Sequence, residues 1–375
     1  SFTVQATDDN NNFSSVGTFS IVVDNTPPAI NIEEEATKVK IFSPDGDGNK
    51  DEFVISQNGS KEDLWEATIF DNHYRKIKTF KIENDSLHNF VWNGKDERGE
   101  IVSDGVYSYT VWAKDRAGNE NKKTISNIIV DTNKPNVAIN IYKKYFSPNG
   151  DGVNDTITLN PVLNTQGLIK CTLEIKNAIG NVVKSIELSS SNIKPLAFDG
   201  KKDDGTLLKE GTYFASLRGE YNNGFVATGD SPVFILDITP PSAKVNANTS
   251  IFSPDGDGKL DSVTFTQEAS QDSWKAKIFS FNQNDEKEGD AVNVINFGNT
   301  VPKKTEWAGL SKEGVLLRDG KYGYVLEGED EAGNKASSNM VIVSLNTEKA
   351  DVILQSDLLI FSPNNDGVKD FLTLL

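Results

Sequence analysis

The 375-residue chain carries 38 basic against 55 acidic residues, a net charge of −17, which argues against a nucleic-acid or anionic-membrane surface and favours solubility and cation attraction. Its one cysteine, Cys171, rules out an intrachain disulfide, and no apolar run approaches the roughly 18 residues of a membrane span, so no direct membrane insertion is expected of it. The length suits two or three domains, each large enough for its own core.

The chain opens on Ser1, holds one methionine, Met340, and stops within a pattern at Leu375, as expected of an internal fragment of a longer protein. Its first thirty residues align without a gap on Ser108 to Val137, and both stretches predict two alternating strands joined by a polar Asp/Asn loop. A Pro-containing joint follows at Asp24 to Pro28 and recurs at Asp131 to Pro135, Asp237 to Pro241 and, in weaker form, Asn346 to Ala350.

One stretch then occurs four times: FSPDGDGNKD from Phe42, FSPNGDGVND from Phe146, FSPDGDGKLD from Phe252 and FSPNNDGVKD from Phe361. Successive copies are 104, 106 and 109 residues apart, so a module of that size is repeated in tandem. A short strand precedes each of the first three copies (Ala29 to Ile32, Val137 to Ile141, Ala243 to Val245), and a strand such as Glu52 to Ser56 follows.

A hairpin comes next: Trp65 to Phe70 into Lys76 to Ile82, Cys171 to Lys176 into Val182 to Leu188, and Trp274 to Phe279 with a longer excursion to Val294. A Gly-punctuated segment follows in each repeat, WNGKDERGEIVSDGVYSYTV from Trp92, FDGKKDDGTLLKEGTYFASL from Phe198 or WAGLSKEGVLLRDGKYGYVL from Trp307. No stretch shows a sustained helical period, and short strands with turn residues between them predict an antiparallel sandwich. The fold class is all-β, an elongated array of tandem sandwiches near 25–131, 132–237 and 238–346, flanked by the last strands of a preceding repeat (1–24) and the first of a following one (347–375).

The Gly-punctuated segment with its closing Gly-x-Tyr, after a hairpin such as EIKNAIGNVVKSIEL, resembles the bacterial Ig-like domain of the flagellar hook-cap protein (FlgD-type). The loop FSPNGDGVND is similar to the opening of the gliding-motility-associated C-terminal domain, a related type that serves as a secretion signal in some bacteria. The resemblance covers nearly the whole chain and implies Ig-like sandwiches acting as spacers, assembly units or accessory domains. Two departures stand out: Phe198 replaces the tryptophan of the sister repeats, and these loops sit inside the chain, whereas the secretion signal is a terminal copy.

In the repeated loop, Asp45, Asp47 and Asp51 stand at relative positions one, three and seven. Asn149, Asp151 and Asp155, then Asp255, Asp257 and Asp261, then Asn364, Asp366 and Asp370 repeat the pattern. Alternate oxygen ligands converging in a tight loop suit calcium, which takes six to eight of them in flexible geometry, so a calcium ion is the expected partner. The loop is not an EF-hand, because glycine lies at position four and position five varies (Asn49, Val153, Lys259, Val368). The competing explanation is a metal-free turn in which aspartates cap local amides; it accounts for the glycines but gives no reason for a third carboxylate at a fixed offset. A second acidic set, Asp24, Asp131 and Asp237 at the joints with the loops at Asp115 and Asp330, lies at the same pole of an Ig-like sandwich and could add ligands, so that calcium stiffens the joint.

Trp65 and Trp274 align, as do Trp92 and Trp307, and are expected in the core. Alternation puts Trp112 on the opposite face from Tyr107, Tyr109 and Val111, where it either packs under a neighbouring lysine or stacks on a sugar or partner. His73 and His88 have no counterparts in the other repeats, and no catalytic or phosphate-binding motif appears. The expected function is a non-enzymatic spacer or adhesive stalk of a large bacterial envelope or secreted protein, calcium-loaded, located outside the cell, on its surface or in the periplasm. A surface protein or glycan is a further possible partner, and the alternative is a carbohydrate-binding accessory region of a secreted enzyme.

Overall fold

The computed structural model describes residues 2–33, 40–191 and 193–374; Ser1 and Leu375, the outer limits of the flanking pieces, lie outside them. Every regular element among these residues is a β-strand, and the chain is an all-β protein of tandem Ig-like repeats. It forms two compact units, Ser1–Lys144 with Thr158–Phe234, and Tyr145–Ile157 with Ile235–Leu375.

In the first unit a five-stranded sheet orders Ile41–Phe42, Glu120–Val130, Gly105–Lys114, Lys61–Asp71 and Lys76–Ser86. The short pairs Ile30–Ile32 with Gln57–Gly59 and Phe53–Ile55 with Phe90–Trp92 accompany it. Strict alternation along Gly105–Lys114 turns Tyr107, Tyr109, Val111 and Ala113 inward, onto Trp65, Ala67 and Ile69 of the neighbouring strand. The expected hairpins form but run longer than their apolar residues alone suggest, to Lys61–Asp71 and Lys76–Ser86 in the first repeat and to Ser273–Phe281 and Lys287–Gly298 in the third.

The second unit has the same plan: Ala243–Ala247, Val263–Ala269 and Lys304–Trp307 form one sheet, and Gly320–Glu329 and Ser273–Phe281 are central strands of the other. Trp65, Trp92, Trp274 and Trp307 are all buried, and each indole N–H donates to a backbone carbonyl: Ser60, Lys95, Ser270 and Leu310, at 2.9–3.1 Å. The Gly-x-Tyr tyrosines close the same corner in each repeat, Tyr107 donating to Ser103 O, Tyr213 to Lys209 O and Tyr322 to Arg318 O, each at 2.7 Å. A buried Tyr–Gln pair, Tyr109 with Gln57 and Tyr324 with Gln267, recurs in the first and third repeats. Burial pushes the Tyr324 hydroxyl up to about 12 and that of Tyr109 in the same direction, so both stay protonated donors.

One pairing departs from an all-antiparallel sandwich. The strand that opens each repeated loop runs parallel to the last strand of its repeat: Phe42 beside Val130, Phe146 beside Leu236 and Phe252 beside Leu345. After its first short strand the chain crosses to the other sheet and meets that last strand travelling in the same direction. The crossing drops Phe42, Phe146 and Phe252 into the core at 0–1% exposure, which anchors the loop beyond them. Gly94 has a role in this anchoring: its φ is +70°, and an added Cβ would lie 2.5 Å from Pro44 Cγ.

Candidate metal loops at the repeat junctions

All four loops share one backbone. Ser43 N–H donates to Lys50 O across the loop mouth at 2.9 Å, and Ser147 to Asn154 O, Ser253 to Leu260 O and Ser362 to Lys369 O repeat the bond at 2.8–2.9 Å. Residues 46, 48 and 50 have positive φ, as do 150, 152 and 154, 256, 258 and 260, and 365, 367 and 369. Alternating left-handed residues turn successive N–H groups to the concave side, which makes a nest for an anion.

The anion is the loop's own third carboxylate. Asp51 accepts from Gly46 N at 2.6 Å and Gly48 N at 2.8 Å, Asp155 from Gly150 and Gly152, Asp261 from Gly256 and Gly258, and Asp370 from Asn365 and Gly367. Backbone chemistry therefore does need a carboxylate at position seven, which the simple turn explanation leaves without a reason. Positions one and three each cap the amide two residues on: Asp45 that of Asp47 and Asp47 that of Asn49, and the same atoms recur in the other copies.

The caps leave acceptor capacity, since an ionised carboxylate offers about four lone-pair sites. One oxygen each of Asp45, Asp47 and Asp51, and of Asp255, Asp257 and Asp261, lie within 4.8 Å of one another, a donor set that a hard cation can share with water and carbonyls. The second and fourth loops place an amide at position one, where Asn149 and Asn364 turn their Nδ2 toward Asp151 and Asp366. That Asn364 contact holds the Asp366 carboxyl below the usual range.

The second acidic set turns elsewhere. Asp131 Oδ1 accepts from Asn133 N and Nδ2, while Asp24 and Asp237 cap Thr26 and Thr239. Asp115 and Asp330 each bind the backbone and side-chain nitrogens of the asparagine four residues on, Asn119 and Asn334. These carboxylates shape joints and turns, and it is the turns that meet the loops.

In the first unit, Lys50 Nζ donates to Asn222 O at 2.7 Å, Asn223 Nδ2 reaches Asp131 O and Asn133 O, and Lys134 Nζ lies 3.0 Å from Asp45 Oδ2. In the second unit, Asn334 takes bonds from Ser147 Oγ at 2.5 Å and Asn149 Nδ2 at 3.1 Å and donates to Asp237 O, while Asn154 Nδ2 donates to Ala332 O. Gly224 and Gly333 touch the loops directly: a Cβ there would lie 2.9 Å from Asn49 O and 2.8 Å from Val153 Cγ1. The turn residues Asn223, Gly224, Gly333 and Asn334 and the joint residue Lys134 are site residues that sequence reasoning misses, although the recurring DRAGN and DEAGN strings mark the place.

Trp112 lies on the outward face as alternation requires, half-buried between Glu66 and Lys122 of the adjoining strands. His73 and His88 are exposed.

Two stretches of the chain, residues 36–130 and 139–228, match the family described as the CHU_C Type IX secretion signal domain. No curated protein matches the chain. Among solved structures, the tetra-tandem repeat in the extending region of a large adhesion protein is 13% identical, covering 92% of this chain and 81% of that one, with a TM-score of 0.32. A structure bearing on host cell surface retention of a 1.5-MDa bacterial ice-binding adhesin is 13% identical over 87% and 100%, with a TM-score of 0.39. The chicken CNTN1 FN1–FN3 domains are 13% identical over 85% and 98%, with a TM-score of 0.27.

Proposed function

We propose that the chain is a non-enzymatic spacer or adhesive stalk of a large secreted or cell-surface bacterial protein, built of Ig-like repeats near 25–131, 132–237 and 238–346 whose acidic loops bind calcium. The observation that carries this is the place of the recurring chemistry: the same carboxylate loop returns once per repeat, and twice it is covered by a hairpin turn of later sequence. An active site gathers unlike groups once; a structural joint repeats. The match of 36–130 and 139–228 to a Type IX secretion signal domain favours export. The likeness of the Gly-punctuated segments to the hook-cap type rests on those segments alone and adds only the Ig-like sandwich.

Calcium suits the loops because their ligands are all oxygens, already held in place by the nest, and because the net charge of −17 favours any cation that neutralises part of it. Bound to the folded state alone, calcium at a hundred times its dissociation constant would add about 2.7 kcal/mol per site. Chelation is therefore expected to lower the melting temperature by several degrees and calcium to restore it. Unchanged melting and unchanged small-angle scattering with and without the ion would remove calcium from the account.

The alternative, a carbohydrate-binding accessory region, has one feature in its favour: Phe70 and Trp112 share a shallow outward groove with Glu66, Lys76 and Lys122. Binding on a glycan array, lost in Trp112→Ala, would establish it.

A further inference from the structure

The two observed dockings bring together the same loop, joint and turn segments through different side chains, and the differences go together. In the first unit, loop position one is Asp45, the fourth joint residue is Lys134 and the fifth turn residue is Phe225. Asp45 pairs with Lys134, whose ammonium also lies 5.8 Å from the centre of the Phe225 ring. In the second unit the corresponding residues are Asn149, Pro240 and Asn334, and the loop amide bonds directly to the turn amide.

The serine at the loop mouth reports the same exchange. Ser147 Oγ donates to Asn334 Oδ1, whereas Ser43 Oγ, 3% exposed, has no hydrogen-bond partner among the described residues. The asparagine that would serve Ser43 is replaced by Phe225.

Other positions in the chain fall into the same two sets. Asn119, the fifth residue of the first repeat's turn, comes with Pro27 at its joint and donates to Asp24 O at 3.1 Å, as Asn334 does to Asp237 O at 3.0 Å. Asp255 of the third loop comes with Lys349, and that joint is built like the one holding Lys134. Thr132 donates twice to Asp104, and Thr347 donates twice to Asp319, whereas Ile238 stands at that position beside Pro240.

We infer that the junctions are of two matched kinds, an ion-pair lock (loop Asp, joint Lys, turn aromatic) and an amide lock (loop Asn, joint Pro, turn Asn), which decide which repeat follows which. The loop at Asp255, with Lys349 beside its joint, is of the first kind, so the surface it presents fits a hairpin turn of another repeat of this type that carries an aromatic at its fifth position and not an asparagine. Mismatching the kinds leaves either a lysine without its carboxylate or a loop amide without the turn amide it bonds, which is how a wrong neighbour would be rejected.

The test uses the full chain in excess chelator, so that its outcome does not depend on calcium. Amide hydrogen exchange is followed in peptides covering 131–135 and 221–225 for Asp45→Asn, Lys134→Met and the triple change Asp45→Asn, Lys134→Pro, Phe225→Asn. Each single change is expected to speed exchange there by about tenfold, and the triple change, which converts one lock into the other, to bring it back to within about threefold of the parent. Unaltered melting of the buried core in every variant separates junction loss from unfolding. Exchange in the triple variant as fast as the sum of its parts, or no response to either single change, would overturn the inference.

Discussion

Trp274→Ala is expected to destabilise the third repeat by about 3–5 kcal/mol, the range for removing a fully buried tryptophan. The indole is 2% exposed, donates to Ser270 O at 3.0 Å, and lies so close to Gly328 that a Cβ on that glycine would be 2.5 Å from the ring. Its removal leaves a cavity against Ala276, Ile278 and Leu326 and an unpaired carbonyl, and strand Gly320–Glu329 cannot collapse inward without breaking its register with Ser273–Phe281. Because this core is distinct from that of Trp65, Tyr109 and Val111, peptide-resolved hydrogen exchange should show loss of protection over 263–345 with 105–130 unchanged. Simultaneous loss in both segments would contradict stability held repeat by repeat.

Asn334→Ala is expected to cost about 2–4 kcal/mol, concentrated where the second loop is docked. Asn334 is 1% exposed and satisfies four groups at once: Ser147 Oγ, Asn149 Nδ2, Asp237 O and Asp330 Oδ2. Truncation strands the buried Ser147 hydroxyl and frees the turn. Exchange in 145–155 and 330–334 should rise together, while 274–281 in the core keeps its protection. Asn334→Asp tests the polarity of these bonds, since it keeps an acceptor for Ser147 but removes both donors and brings a charge beside Asp330. It should be no better than alanine, and a neutral effect of either change would show the docking to be incidental.

Much of the architecture is legible in the amino-acid sequence. The four copies of the loop, the strand alternation of Gly105–Lys114 and the aligned tryptophans all depend on local periodicity and on burial of apolar residues, which a sequence displays directly. The parallel pairing of Phe42, Phe146 and Phe252 is not legible there, because the direction of a neighbouring strand depends on which sheet the chain crosses to. The spacing of Asp45, Asp47 and Asp51 implies that their carboxylates converge, and the fold brings those oxygens together.

The nest that also claims Asp51 is hidden, since Lys50, Leu260 and Lys369 give no residue-type signal for the positive φ they share with Asn154. The part played by Lys134 and Asn334 is hidden for another reason: their partners, Asp45 and Ser147, are 89 and 187 residues away. Only the recurrence of DRAGN and DEAGN points to the turns.

Direct calcium titration of the chelator-stripped chain, followed by calorimetry and repeated with Asp47→Asn and Asp257→Asn, tests whether these loops are ion sites. The expected result is saturable binding with each substitution removing or weakening one site, since Asp47 and Asp257 stand in the middle of the two three-carboxylate clusters. No heat and no bound ion at millimolar calcium, in a chain whose loops keep their backbone protection, would leave the nest around Asp51 and Asp261 as the whole purpose of the repeated carboxylates.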